Sequence, residues 1–123
     1  MRAVPLRADR FSFELSAKEL RVIIVGLREA DQELEDWEFQ TRTGFERSSM
    51  RALLEAIFKE EKWGQVYTYT LEFSAEEVQM IVAGLREADR KLEDWEFQTR
   101  TGSERSAMRA FHDEILAALN RAE

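Results

Sequence analysis

The sequence predicts a helix-dominated α+β fold: a tandem (β-α-α)×2 repeat with pseudo-twofold symmetry, two strands in an antiparallel ribbon and four helices sharing one core. Three observations lead there. Gly26-Leu27-Arg28-Glu29-Ala30-Asp31 recurs as Gly84-Leu85-Arg86-Glu87-Ala88-Asp89, a shift of 58. Each copy opens on an alternating apolar run, the period of a half-buried strand. Each then carries two stretches with apolar residues at helical spacing. Two copies are too few for a solenoid, and half a chain of 123 residues is marginal alone. Residues 1–123 are therefore expected to form a single compact domain, with repeat 1 at 10–62 and repeat 2 at 66–121.

Taken in order, Phe11, Phe13 and Leu15 alternate with Ser12 and Glu14 and predict the first strand. Ser16 followed by Glu19 is a capping box that opens a helix. That helix continues along Leu20, Ile23, Leu27, Ala30, Leu34 and Trp37, one apolar stripe widened by Val22, Ile24 and Val25. Gly26 and Gly84 fall in helix interiors, where glycine costs about 1 kcal/mol against alanine, so the two first helices are expected to cross there. The segment from Trp37 to Arg42 fits a helix end, a turn or a short extended piece. Thr43 followed by Glu46 reads as a second capping box, ahead of a helix with Met50, Leu53, Leu54, Ile57 and Phe58 on its apolar side.

The second copy repeats the scheme. Tyr67, Tyr69, Leu71 and Phe73 alternate as a strand, Ser74 with Glu77 and Thr101 with Glu104 form the capping boxes, and Met108, Phe111, Ile115, Leu116 and Leu119 line the last helix. Two lone strands are unstable singly, so they are expected to pair antiparallel across the pseudo-twofold. The match is uneven. From Gly26 to Ala52 only positions 32, 33, 45 and 49 differ from their counterparts, whereas from Leu53 to Lys62 only Ile57 recurs, as Ile115. Phe45 becomes Ser103 and Leu54 becomes His112, which predicts a more exposed side on the second hairpin.

The charges run against the helix dipoles. Glu29, Asp31, Glu33, Glu35, Asp36 and Glu38 crowd the end of the first helix, while Arg47 and Arg51, with Arg105 and Arg109, open the second. In an antiparallel hairpin the two misplacements face each other, so an ion-pair network within each hairpin is expected, with Glu35 and Arg47 as a test pair. The competing use of these acids is divalent cation binding, calcium by chemistry, through Asp31, Glu35, Glu38, Asp89, Glu93 and Glu96. Asp36-Trp37-Glu38-Phe39-Gln40-Thr41 does not begin an EF-hand loop: the sixth position is not glycine and the twelfth is Arg47. A di-iron carboxylate site needs paired Glu-x-x-His motifs, and there is one histidine.

Composition narrows function further. The net charge is −7, with 11 basic and 13 acidic residues in 1–62 against 7 and 12 in 63–123. Neither half offers a basic face for duplex nucleic acid. The absence of cysteine removes thiolate catalysis and Cys-based zinc sites. The longest apolar run, around Val22 to Val25, is too short to span a membrane, and Met1 to Pro5 has no signal-peptide core, so a cytoplasmic protein is expected. His112 has no nucleophile or acid arrangement around it, so no catalytic residue, no cofactor and no enzyme is expected; an enzyme of unknown type is the remote alternative.

What remains is a protein-interaction or regulatory module with two equivalent helix-loop-helix faces. Its candidate residues are Trp37, Phe39, Arg42 and Arg47 in one copy and Trp95, Phe97, Arg100 and Arg105 in the other, because Trp and Arg dominate binding hot spots. The commoner fate of such tryptophans is to close the core beneath the loops. A protein partner is expected, with the chain a monomeric pseudo-dimer or a weak homo-oligomer.

Overall fold

Alternation places Phe11, Phe13 and Leu15 on the buried face of a strand and leaves Glu14 to solvent. That strand, β2 (Arg10–Ser16), pairs antiparallel with β3 (Thr68–Ser74), setting Phe11 opposite Phe73, Phe13 opposite Leu71 and Leu15 opposite Tyr69. The computed structural model describes residues 2–7, 9–60, 68–102 and 104–121; Tyr67 and Ser103 lie outside them. Within these the fold is helix-dominated α+β, but the predicted two-stranded ribbon is a three-stranded antiparallel sheet. A further strand, β1 (Arg2–Arg7), lies along the outer edge of β2, giving the order β1-β2-β3. Pro5 hides it from a sequence reading. Proline lacks the ladder N–H and survives only at edges or irregularities, and the register shifts between Pro5 and Arg7.

The four expected helices are six among the described residues, because Trp37–Arg42 belongs to a short helix of its own. In order they are α1 (Ala17–Glu33), α2 (Asp36–Thr43), α3 (Arg47–Glu60), α4 (Ala75–Lys91), α5 (Asp94–Thr101) and α6 (Arg105–Arg121). The predicted capping boxes close the starts of α1 and α4. Glu19 N–H donates to Ser16 Oγ at 3.1 Å and Ser16 N–H to Glu19 Oε1 at 2.8 Å; Ser74 and Glu77 repeat the pattern at 3.0 and 2.8 Å.

The first helix ends earlier than its stripe suggests. Leu34 turns extended (φ −92°, ψ 133°), as does Leu92 in the second half (φ −90°, ψ 136°). Trp37 therefore leaves the α1 stripe. Thr43 does not open α3, contrary to the sequence pattern; it ends α2, its Oγ1 donating to the Phe39 carbonyl at 2.7 Å and accepting from Phe45 N–H at 3.1 Å. Gly44 then takes the left-handed conformation (φ 81°) and its N–H returns to the Gln40 carbonyl at 2.8 Å, a helix C-terminus in glycine's usual form.

One hydrophobic cluster draws on both halves: Phe11, Phe13, Leu15, Ile23, Leu27, Phe39, Met50 and Ile57 with Tyr69, Phe73, Ile81, Leu85, Met108 and Ile115. At its centre α1 and α4 touch at the two helix glycines. A Cβ on Gly26 would stand 3.2 Å from Leu85 N and 3.3 Å from Gly84 C, and one on Gly84 would stand 3.2 Å from Gly26 C and O. The expected close crossing is present, and it leaves no room for a methyl group.

Candidate interaction surface

The break after α1 determines what α2 presents. Glu35 has extended backbone (φ −68°, ψ 155°) and its N–H is closed by Glu38 Oε1 at 2.9 Å; Glu93 and Glu96 do the same at 3.1 Å. One side of α2 then faces inward, with Phe39 1% exposed and Thr43 buried. The other side carries Trp37, Gln40 and Thr41, all exposed, and Trp95, Gln98 and Thr99 stand exposed on α5. Trp37 is 79% and Trp95 70% exposed. The tryptophans do not close the core, which corrects the commoner expectation: Leu34 and Phe39, three residues before Trp37 and two after it, take the buried positions.

The arginines split into two roles. Arg47 reaches back to α1, donating to the carbonyls of Asp31 and Leu34 and to Asp31 Oδ1 at 3.0 Å, while its guanidinium stacks 4.6 Å from the Phe39 ring. Arg51 joins Asp31 at 2.9 Å. Arg105 and Arg109 treat Asp89 and the Leu92 carbonyl alike, with ion pairs at 2.8 and 3.1 Å. A cation at a helix C-terminus is favourable, so the apparent misplacement becomes a C-terminal cap. The hairpin network is present, but Arg47 pairs with Asp31, and no ion pair between Arg47 and Glu35 is found among the described residues. Partial burial pushes the Asp89 carboxyl up, and hydrogen bonds from Arg105 and Arg109 outweigh it, holding it below the usual aspartate range.

Arg42 and Arg100 act between halves, which no local pattern announces. Arg42 pairs with Glu87 of α4 at 3.5 Å, and Arg100 pairs with Glu29 of α1. Both acids are buried, Glu29 to 2% and Glu87 to 5% exposure. Each arginine also meets the acid four residues before it, Glu38 or Glu96, at 3.5 Å. The contact pins α2 onto α4 and α5 onto α1. The Phe97 side chain lies outside the described residues.

Of the six acids considered for a cation, Asp31 and Asp89 are each held by two arginines, and Glu38 and Glu96 by an arginine and a backbone N–H. Glu35 and Glu93 are exposed. Among the described residues no group of three or more metal-ligating side chains is placed to hold a metal ion. His112 is half-buried, like Leu54 at the matching position, so that exchange does not open the second hairpin; its Nδ1 lies 3.1 Å from Asp113 Oδ1. No described helix is long and apolar enough to cross a membrane. In comparisons with known proteins, no family model, curated protein or solved structure matches the chain.

Proposed function

We propose that the chain is a non-enzymatic interaction module with two equivalent docking faces, α2 and α5, each centred on an exposed tryptophan. One observation carries this reading. Trp37 and Trp95 stay 79% and 70% exposed although both lie in the same octapeptide, Asp-Trp-Glu-Phe-Gln-Thr-Arg-Thr. Core packing explains the identity of Leu34 with Leu92, and the buried ion pairs explain Arg42 with Arg100. Neither explains identical outward-facing Trp, Gln and Thr. Exposed positions on the other helices are mixed: Arg28 with Arg86, Ser48 with Ser106 and Ala52 with Ala110 also match, while Lys18 against Glu76, Arg21 against Gln79, Ala56 against Glu114 and Lys59 against Ala117 have drifted. Large exposed aromatics are the usual anchors of protein interfaces.

The two faces are equivalent because the halves are two copies of one unit about a pseudo-twofold axis. Three facts support that. Phe13 pairs with Leu71, a position 58 residues on, so the β2–β3 register is self-complementary. Gly26 meets its own counterpart Gly84. Arg42–Glu87 and Arg100–Glu29 are the same contact with the halves exchanged. On this reading the chain is one domain with a repeat at 10–62 and another at 66–121, presenting one surface twice.

The test is affinity capture from native lysate, run in parallel with the wild-type chain and the Trp37→Ala/Trp95→Ala variant. The expected result is a partner lost from the double variant, which retains its circular dichroism and unfolding midpoint, and retained at reduced occupancy by either single variant. A partner captured equally by wild type and double variant would sink the reading.

A further inference from the structure

We infer that the partner seated on α2 and α5 is a basic segment, a lysine- or arginine-bearing peptide. This rests on reading the two tryptophans as docking sites. The outward side of α2 is no broad apolar groove: beside Trp37 it offers the amide of Gln40 and the hydroxyl of Thr41, and Trp95 has Gln98 and Thr99. An isolated indole among polar groups suits a cation over its face better than the apolar stripe of a helix.

The charges around each indole point the same way. The helix-start arginines are engaged: Arg42 by Glu38 and Glu87, Arg47 and Arg51 by Asp31, Arg100 by Glu29 and Glu96, Arg105 and Arg109 by Asp89. In the second half Arg90 and Lys91 stand exposed at the end of α4, where the first half has Gln32 and Glu33, so the α2 face is the more acidic of the two. Glu35 and Glu93, two residues before each tryptophan, are exposed and have no ion pair among the described residues. Each face therefore offers an exposed indole with an exposed glutamate two residues before it in the chain, on a molecule of net charge −7. A second copy of this chain would set −7 against −7, which opposes association. A basic segment gains on both counts, by stacking on the indole and by pairing with the glutamate.

Random peptides displayed on phage, selected on the full chain and counter-selected on Trp37→Ala/Trp95→Ala, test this directly. Tryptophan-dependent binders enriched in Lys and Arg are expected. A synthetic copy of the leading peptide should bind Glu35→Gln/Glu93→Gln about two- to fivefold more weakly, the size of one exposed ion pair. Tryptophan-dependent binders that are acidic or uncharged, or that ignore the glutamate change, overturn the basic-segment inference and leave the docking sites standing. Absence of any tryptophan-dependent binder removes the docking sites themselves. Dimerisation of the wild type in sedimentation, lost in the tryptophan variant, assigns the faces to self-association and overturns the inference too.

Discussion

At the scale of single residues, the decisive groups are buried charges and exposed aromatics, each the reverse of the default for its type. Glu29 is 2% exposed and answered by Arg100, whose own side chain is 44% exposed. Removing the arginine leaves an uncompensated carboxylate in the interior. Arg100→Ala is expected to cost about 2–3 kcal/mol in urea unfolding, below the about 3–5 kcal/mol for breaking a fully buried pair because the arginine is partly solvated. Replacing both partners with methionine should recover most of that loss, since an apolar pair carries no desolvation penalty. Asp89 gives a pH signature. Its carboxyl is held low by Arg105 and Arg109 against the opposing effect of burial. The stability it contributes is present above the ordinary aspartate value, about 4, and is lost as pH falls through the lower folded value. Asp89→Asn should therefore destabilise the protein near neutral pH and match the wild type in strong acid, as followed by unfolding midpoints across the acid range. Trp37→Ala, by contrast, should change stability by no more than about 0.5 kcal/mol, as for other exposed positions.

At the scale of elements, the helix starts were legible and the helix ends were not. Ser16 with Glu19 and Ser74 with Glu77 are local patterns whose hydrogen bonds lie within three residues. Thr43 with Glu46 has the same letters, yet Gly44 after the threonine marks a C-terminus, and that signal outweighs the box. The stop after Glu33 was invisible because Trp37 falls three residues beyond Leu34 and extends the apolar spacing without a gap. What ends α1 is Arg47, a residue 13 positions past Leu34. Arg47→Ala is expected to cost about 1–2 kcal/mol, the lower part of the range for leaving acceptors unpaired because these carbonyls are only partly buried, and hydrogen exchange should show the last turn of α1 opening first. Strand β1 escaped for a different reason: Pro5 and an irregular register give it no clean period. The glycine crossing was readable from the cost of glycine in a helix, and it makes a sharp prediction. Gly84→Ala gains about 1 kcal/mol of helix propensity but forces backbone 3.2 Å away to shift. Net destabilisation of about 1–2 kcal/mol should follow by urea unfolding.

At the scale of the whole molecule, periodicity within each copy gave the strands and the amphipathic helices, whereas the contacts joining the copies lie far apart in the chain. Arg100 and Glu29 are 71 residues apart, and no local pattern connects them. The exposed tryptophans were legible as candidates but not as exposed ones, because their orientation depends on the break at Leu34. The proposed function implies two ligand segments per chain: calorimetry with a monovalent peptide is expected to return a stoichiometry of two, falling to one in Trp95→Ala. The crossed ion pairs have a further consequence, for how such a chain can change over generations. Glu29 is neutralised by an arginine from the other half, and Glu87 by its opposite number. A substitution in one copy thus leaves a stranded charge in its neighbour, and a compensating change must arise in the other copy. The two halves are bound to inherit their inner surfaces jointly, while their outer helices are free to diverge.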